Sequence, residues 1–209
     1  RVLYFPIAGT SGETVLTVVL ALRWMKSEMP TWQATPLLTK KAAEIILAFA
    51  RSIKIAGADI IVICEHDAQM VSPMYIKKFC LPHLETIFQV FDYNILHMCG
   101  GVMKHLEVNT EGIKTFSRLK AISVGPEIDM QALRNSLGGS IGVIGNIDHI
   151  NILPHGTPEE IEAVCKRVLE ENKHAPGFML APGCEITVDT PKENIKAFVN
   201  AAGKYGELS

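Results

Sequence analysis

The chain of 209 residues lacks the features that mark several large classes of protein. Its 20 Lys and Arg residues nearly balance its 22 Asp and Glu residues, so the formal net charge of −2 gives no basic excess for nucleic acid or an anionic membrane. The most apolar early run, residues 15–22, is far shorter than the roughly 20 residues of a membrane-spanning helix. Glu13 stands where a signal peptide would be basic. We therefore expect a globular protein that binds neither nucleic acid nor a membrane.

The cysteine content argues against a secreted scaffold held by disulfides. Five cysteines are an odd number in a chain of ordinary size, which is typical of a reducing compartment where thiols serve packing or metal binding. We therefore expect a cytoplasmic protein. The apolar fraction of 48% and the mean hydropathy of +0.21 are enough for a large core. Residues 1–209 are expected to form a single domain.

Short apolar runs alternate with longer amphipathic segments along the chain, a pattern typical of a parallel sheet covered by helices. Six runs are predicted to be strands: residues 2–7, 59–63, 93–97, 121–124, 141–145 and 178–181. An open dinucleotide-type sheet would need a GxGxxG turn after its first strand, which residues 8–12 lack. We therefore predict an α/β fold of the TIM (β/α)8-barrel type, with about six of its eight units present. Because the chain begins at Arg1 in a predicted strand, we expect the barrel to be incomplete at its N-terminus.

Helix signals follow the predicted strands. Residues 13–26 read as a helix after the first strand, and a long helical pattern over residues 35–55 carries an apolar stripe that includes Phe49. Pro82 lies inside a later pattern and is expected to kink it. Two further helices are predicted to begin at a Thr-Pro-x-Glu capping box with Pro in the first helical position: Thr157 and Thr190.

Polar side chains follow the carboxyl ends of these strands, where parallel α/β folds collect their active groups. The acidic candidates at this edge are Glu65, Asp67, Glu127 and Asp148. Such carboxylates act as bases, as a further metal ligand or as partners that orient a metal-bound histidine, although each alone is more often a cap or a loop hydrogen-bond acceptor. Asn146 and His149, after the fifth strand, are candidates for substrate or cofactor contacts.

His97 and Cys99 are the sharpest pair of candidate metal ligands. Because they are two residues apart on an extended chain, their side chains point to the same side. Cys184 lies at the equivalent end of another predicted strand, so the three side chains can converge in a barrel. One histidine nitrogen and two thiolates suit Zn²⁺ and leave a fourth position open, as catalytic zinc requires. The alternative is that these cysteines merely pack.

The other cysteines and histidines are expected to have no chemical role. Cys64, Cys80 and Cys165 lie in apolar strand or helix patterns and are expected to pack in the core. Four histidines on helix or loop patterns are expected to be solvated: His83, His105, His155 and His174.

Three stretches of this sequence resemble the uroporphyrinogen decarboxylase superfamily: ILHMCG at residues 95–100, IGNID at 144–148 and LAPGC at 180–184. More narrowly, they resemble its methylcobamide:coenzyme M methyltransferases, which hold zinc with the H-x-C…C set. Further matches lie within residues 72–82, 156–160 and 190–196. The resemblance implies a TIM barrel with zinc on His97, Cys99 and Cys184. It also implies that a methyl group moves from methyl-Co(III) of a corrinoid to a small thiol, such as coenzyme M, held as thiolate.

The same resemblance bears on partners. A corrinoid-binding motif such as D-x-H-x-x-G is missing from the sequence, so the corrinoid is expected to arrive on a partner protein or free. A homo-oligomer is also expected to be possible. Two positions depart from the methyltransferase pattern. Gly125 stands where an acid is usual, with Glu127 two residues later, and His149 replaces the proline of G-N-x-D-P.

Two other functions compete with methyl transfer. A decarboxylase-like lyase acting on a tetrapyrrole would need no metal, and the H-x-C…C set argues against it. A relative that binds a corrinoid or a thiol but lacks turnover would keep the zinc ligands, and the changes at Gly125 and His149 are compatible with it.

Overall fold

The computed structural model of the protein describes residues 6–7, 31–65 and 68–206, and every structural statement below concerns these residues. The chain divides into two compact units, Arg1–Ile122 and Ser123–Ser209. The single domain expected over residues 1–209 stays a prediction.

The described residues include six strands: β1 (Pro6–Ile7), β2 (Ile60–Glu65), β3 (Tyr93–Met98), β4 (Leu119–Val124), β5 (Gly142–Ile147) and β6 (Phe178–Pro182). In the first unit β2 runs parallel to β1 and to β3, and in the second unit β5 runs parallel to β6. Most residues of β2 are buried, as a strand covered on both faces requires. All six predicted strands are therefore present, although residues 2–5 lie outside the described part of the chain.

Helices separate the strands. They are α1 (Thr31–Ile55), a 3₁₀ turn (Ala68–Met70), α2 (Pro73–Tyr75), a π-helix (Ile76–Cys80), α3 (Leu81–Phe88), α4 (Met103–Lys114), α5 (Met130–Leu137), α6 (Ile152–His155), α7 (Pro158–Asn172) and α8 (Lys192–Tyr205). The helix predicted over residues 13–26 lies outside the described residues. The π-helix ends just before Pro82, whose missing N–H prevents a regular α-helical hydrogen bond there. None of the described helices combines the length and the apolar character that crossing a bilayer requires.

The apolar stripe of α1 is only partly buried. Ile46 and Ala50 are 6% and 0% exposed, whereas Ile45 and Phe49 are 71% and 51% exposed. One face of α1 therefore packs in the first unit, and part of the predicted stripe lies on the surface.

The second unit has its own core, formed where β5 and β6 pack against α7 and α8 around Ile147, Ile161 and Cys165. The capping box at Thr157 is confirmed. Its hydroxyl accepts a hydrogen bond from the amide of Glu160, and the Glu160 carboxylate accepts one from the amide of Thr157.

The second capping box was predicted wrongly. Pro191 is the N-cap of α8 and offers no side-chain cap, because the chain stays extended there (φ −58°, ψ 140°) and the helix begins one residue late. The Thr190 hydroxyl instead lies 3.0 Å from the hydroxyl of Thr187, closing the loop that leads into α8.

Candidate metal centre

His97 lies near the end of β3 and is buried, at 7% exposure. The register pairs His97 with Cys64 of β2, so the neighbouring strand carries a small side chain beside the ring. The ring atom Nε2 lies 2.9 Å from Sγ of Cys99, the next residue on the same face. The first unit alone therefore brings two potential metal ligands into contact, as the H-x-C spacing predicts.

Gln69, which the sequence analysis overlooked, holds the loop that follows Cys99. Its side-chain carbonyl accepts a hydrogen bond of 3.2 Å from the amide of Gly101. Gly100 has φ +75°, a conformation that favours glycine, and a Cβ there would lie 2.2 Å from Oε1 of Gln69 and displace that side chain. The amide of Cys99 donates to the carbonyl of Glu65 at 3.2 Å. No motif flags an isolated glutamine, and a contact across 32 positions leaves no periodic signal.

Cys184 is positioned by the turn after β6 in the second unit. The amide of Gly183 donates to the carbonyl of Ile147 at 2.7 Å, which ties this turn to the end of β5. A Cβ on Gly183 would lie 2.6 Å from Cδ of Pro126, so the turn packs against the loop after β4 at a distance that only glycine allows. The Cys184 side chain is half-buried.

His97 and Cys99 supply one imidazole and one thiol in contact within the first unit, and Cys184 supplies a second thiol after β6 of the second unit. Ligands of tetrahedral zinc lie roughly 3.5 Å apart, since Zn–N and Zn–S bonds are about 2.0 and 2.3 Å long. One imidazole and two thiols are a ligand set that suits zinc and leaves a fourth position for a further ligand.

The acidic candidates of the first unit have different surroundings. Glu65 ends β2 and is 1% exposed. Its register partner is Met98 rather than His97, so its side chain leaves the opposite face of the sheet. The carboxylate also acts on the buried Cys80 of the π-helix. Burial, and then the negative charge of Glu65, raise the pKa of the Cys80 thiol. Asp67 lies outside the described residues.

Two of the acidic and amide candidates of the second unit, Asp148 and Asn146, make local hydrogen bonds, and the third, Glu127, makes none with any described residue. Glu127 is exposed in the turn after β4. The Asp148 carboxylate accepts hydrogen bonds from the amides of Ile150 and Asn151 and from the Asn151 side chain, at 2.8–2.9 Å. Burial alone would raise the pKa of Asp148, but these hydrogen bonds and the nearby His149 lower it. The Asn146 amide donates to the carbonyls of Gly125 and Ile128 at 3.2 and 2.8 Å.

Two histidines lie in unexpected settings. His149 is half-buried, and its Nδ1 is buried without a hydrogen-bond partner among the described residues. His105 was expected to be solvated, and this is wrong. It is 7% exposed, and its Nε2 donates to the carbonyl of Val71 at 2.7 Å, tying α4 to the segment before α2.

The packing role of three cysteines is confirmed, since Cys64, Cys80 and Cys165 are all buried. Burial raises the pKa of the Cys165 thiol to about 11.

Comparison with known proteins agrees with the motifs. The sequence model of the family described as uroporphyrinogen decarboxylase (URO-D) matches residues 10–205. The methylcobamide:CoM methyltransferase MtbA of Methanosarcina mazei is 29% identical over 178 residues, which are 81% of this chain and 49% of that protein. MtaA of Methanosarcina barkeri, also named a methylcobamide:CoM methyltransferase, is 31% identical over 78% of this chain and 47% of its own. A uroporphyrinogen decarboxylase of Pelobacter propionicus is 26% identical over 78% of this chain and 46% of its own.

Among solved structures, a methyltransferase from Methanosarcina mazei matches with a TM-score of 0.75 and 24% identity, covering 93% of this chain and 57% of that one. The match confirms the predicted α/β fold of the TIM-barrel type. The chain spans about half the length of the curated relatives it matches.

Proposed function

Because the chain belongs to the uroporphyrinogen decarboxylase (URO-D) family, we propose that it moves a methyl group from a methylated corrinoid, carried by a partner protein, to a small thiol such as coenzyme M. One observation carries the proposal. Nε2 of His97 and Sγ of Cys99 lie 2.9 Å apart at the end of β3, and we propose that Cys184 joins them to complete a ligand set that suits zinc. Relatives named methylcobamide:CoM methyltransferases support it further.

Zinc bound by these three residues would lower the pKa of an incoming thiol and so supply a thiolate nucleophile at neutral pH. The chain's own part is to hold the ligands and to aim the acceptor sulfur. The burial of His97 fixes its ring, and the turns after β3 and β6 fix the two cysteines. The acceptor sulfur would take the fourth position on zinc, from which it could attack the corrinoid methyl group in line.

The transfer balances as a displacement. The thiol first loses its proton, and its sulfur then forms a bond to the methyl carbon while the cobalt–carbon bond breaks. The electron pair of that bond stays on cobalt, so methyl-Co(III) becomes Co(I) on the partner and the acceptor leaves as a thioether. No external oxidant or reductant is needed.

The remaining candidates receive supporting roles in this proposal. Asp148 and Asn146 shape the turns after β5 and β4 through their hydrogen bonds. The backbone carbonyl of Glu65 accepts the hydrogen bond from the Cys99 amide and so helps to position Cys99. Asp67, Glu127 and His149 are proposed to contact the substrate or the metal site. A reducing, cytoplasmic compartment would keep both thiol ligands available.

The test combines zinc analysis with a methyl-transfer assay on the purified protein. We expect about one zinc per chain and methylation of at least one member of a thiol panel, including coenzyme M, with methylcobalamin as donor. Cys184→Ser should lose zinc and activity together. Cys165→Ala, which changes a buried cysteine of the second core, should keep both.

Three results would point elsewhere. A natively prepared sample without zinc would refute the proposal. Turnover of a porphyrinogen by metal-free protein would favour the lyase chemistry of the decarboxylase relatives. Zinc binding with no transfer to any thiol, from either methylcobalamin or a methylated corrinoid protein, would favour a binding role.

A further inference from the structure

A cavity of about 620 Å³ lies within the second unit, between the start of α5, the end of β5 and the outer part of α7. Cavities of 300–1,000 Å³ are the usual size of small-molecule sites. None of the three candidate zinc ligands lines it. Asn146 and Asp148, which hold the turns after β4 and β5, also line it, so the cavity borders those turns without containing the candidate metal centre.

The inner wall of the cavity is apolar. Ile128 and Ile147 line it from the sheet side, and Val164 and Val168 line it from α7. Ile147 and Val168 also belong to the hydrophobic core of the second unit, so this wall is backed by packed side chains. A rigid apolar wall favours the hydrocarbon part of a ligand.

Two guanidinium groups line the same cavity. Arg134 of α5 donates to the amide oxygens of Asn172 and, at 2.6 Å, of Gln131, so neutral partners hold it in place. Arg167 of α7 is exposed, and it makes neither a hydrogen bond nor an ion pair with any described residue. Among the described residues, no carboxylate lies within 4.0 Å of either guanidinium group. Guanidinium groups bind carboxylates and other oxyanions through paired hydrogen bonds.

The acidic residues that line the cavity are largely engaged. The Asp129 carboxylate caps α5 by accepting from the amides of Gln131 and Ala132, at 2.9 and 3.0 Å, where the helix end offsets its charge. Asp148 is taken up by the turn before α6. Glu171 is exposed on α7. These amide hydrogen bonds offset part of the negative charge of Asp129 and Asp148, and Arg134 and Arg167 are the cationic residues of the lining.

We propose that this cavity binds a small organic anion with an apolar body, of the chemical class of a medium-chain carboxylate. The hydrocarbon part lies against the Ile147 and Val168 wall, and the anionic group bridges Arg134 and Arg167. The inference concerns α5, β5 and α7 alone, so it stands or falls independently of zinc binding and methyl transfer.

The test is a fluorescence titration of the purified protein with 8-anilinonaphthalene-1-sulfonate, an aromatic anion of suitable size. We expect saturable binding that octanoate displaces at least tenfold more effectively than octanol, since only octanoate carries the charge. Arg167→Glu should weaken binding about tenfold or more, the loss expected for one charge-assisted contact. Lys104→Glu reverses an exposed charge on α4 in the first unit and should leave the affinity unchanged.

Melting temperature and zinc content serve as checks on the fold of each variant, and Arg167→Gln replaces the charge reversal if that variant melts early. Equal affinity in wild type and in the Arg167 variants would overturn the proposal. Equal displacement by octanol and octanoate would overturn it as well, since binding would then need no anion. A loss of affinity in Lys104→Glu as large as in Arg167→Glu would mean that net charge, and not this cavity, attracts the probe, which also overturns it.

Discussion

At the scale of single residues, the five cysteines have two kinds of surroundings. Cys64, Cys80 and Cys165 are buried, whereas Cys99 and Cys184 are half-buried at strand ends. Burial disfavours the thiolate, which is why the pKa of Cys165 rises to about 11 and that of Cys80 rises as well. The rate of reaction with a thiol reagent should therefore distinguish the three buried cysteines from the two candidate metal ligands, Cys99 and Cys184.

Thiol labelling at pH 8 tests this separation. After treatment with a zinc chelator, we expect Cys99 and Cys184 to react with iodoacetamide first, as peptide mapping by mass spectrometry would show. Cys165 should stay unlabelled, because a pKa of about 11 leaves about one thiol in a thousand ionised at that pH. Without chelator, bound zinc should protect the two reactive thiols. Labelling of Cys80 or Cys165 ahead of Cys184 would contradict the assignment.

The contact of Gln69 with the loop after Cys99 leads to a second prediction. Gln69→Ala removes the acceptor for the Gly101 amide, so the loop should become looser and zinc affinity should fall about tenfold, as measured by competition with a chromogenic chelator. Gln89→Ala, in the exposed turn after α3, is the matched control and should bind zinc as the wild type does. Unchanged zinc affinity in Gln69→Ala would show that the loop needs no such support.

At the scale of elements, α8 shows how one buried side chain can fix a helix that lacks a cap. Its N-terminus has no side-chain cap, yet Asn194 is 2% exposed and donates to the carbonyls of Leu153 and Gly156 at 2.9 and 2.8 Å. These bonds satisfy the end of α6 and attach α8 to it. The anchor is tertiary, so the local cap motif at Thr190 is not needed.

Two asparagines of α8 form a matched pair of variants. Asn194→Ala should lower the free energy of unfolding by about 2 kcal/mol, because two buried carbonyls lose their donor. Asn200→Ala changes an exposed residue of the same helix and should shift it by less than about 0.5 kcal/mol. Urea unfolding followed by circular dichroism measures both. A loss in Asn200→Ala equal to that in Asn194→Ala would contradict the anchor, since Ala is the better helix former and only Asn194 makes the two bonds to α6 and its C-cap.

Sequence periodicity predicted the elements well where local chemistry decides them. Strands β2, β3 and β5 were predicted to begin at residues 59, 93 and 141, and each begins within one residue of that position. Helix α7 begins at its capping box. Both kinds of signal act over only a few residues. Periodicity failed where distant contacts decide. The exposure of Ile45 on α1 and the burial of His105 depend on partners that no periodic pattern names.

At the scale of the whole molecule, the candidate ligands come from distant parts of the chain. Their residue types and their places after predicted strands indicated the metal centre, because parallel strands bring their carboxyl ends to one edge. The resemblance supplied the chemistry. What could not be predicted was the support around the centre. That support consists of hydrogen bonds made by the side chains of Gln69, Asp148 and Asn146. No sequence motif marks these hydrogen bonds.

Binding of a metal by ligands so far apart in the chain should be visible in overall stability. A ligand at free concentration L that binds only the folded state stabilises it by RT ln(1 + L/Kd), so the melting temperature rises with the logarithm of the free ligand concentration once that exceeds Kd. We expect a chelator to lower the melting temperature of the wild-type protein and excess Zn²⁺ to restore it. Cys184→Ser should show no zinc-dependent shift. A shift of equal size in that variant would place the stabilising zinc elsewhere.

The close approach of Gly183 to Pro126 links two loops that are far apart in sequence. In a saturation library, position 183 should accept no side chain unless position 126 first becomes smaller, so tolerated substitutions at the two sites should arise in that order. The loop after β4 would therefore have to change before evolution could alter the residue that precedes Cys184.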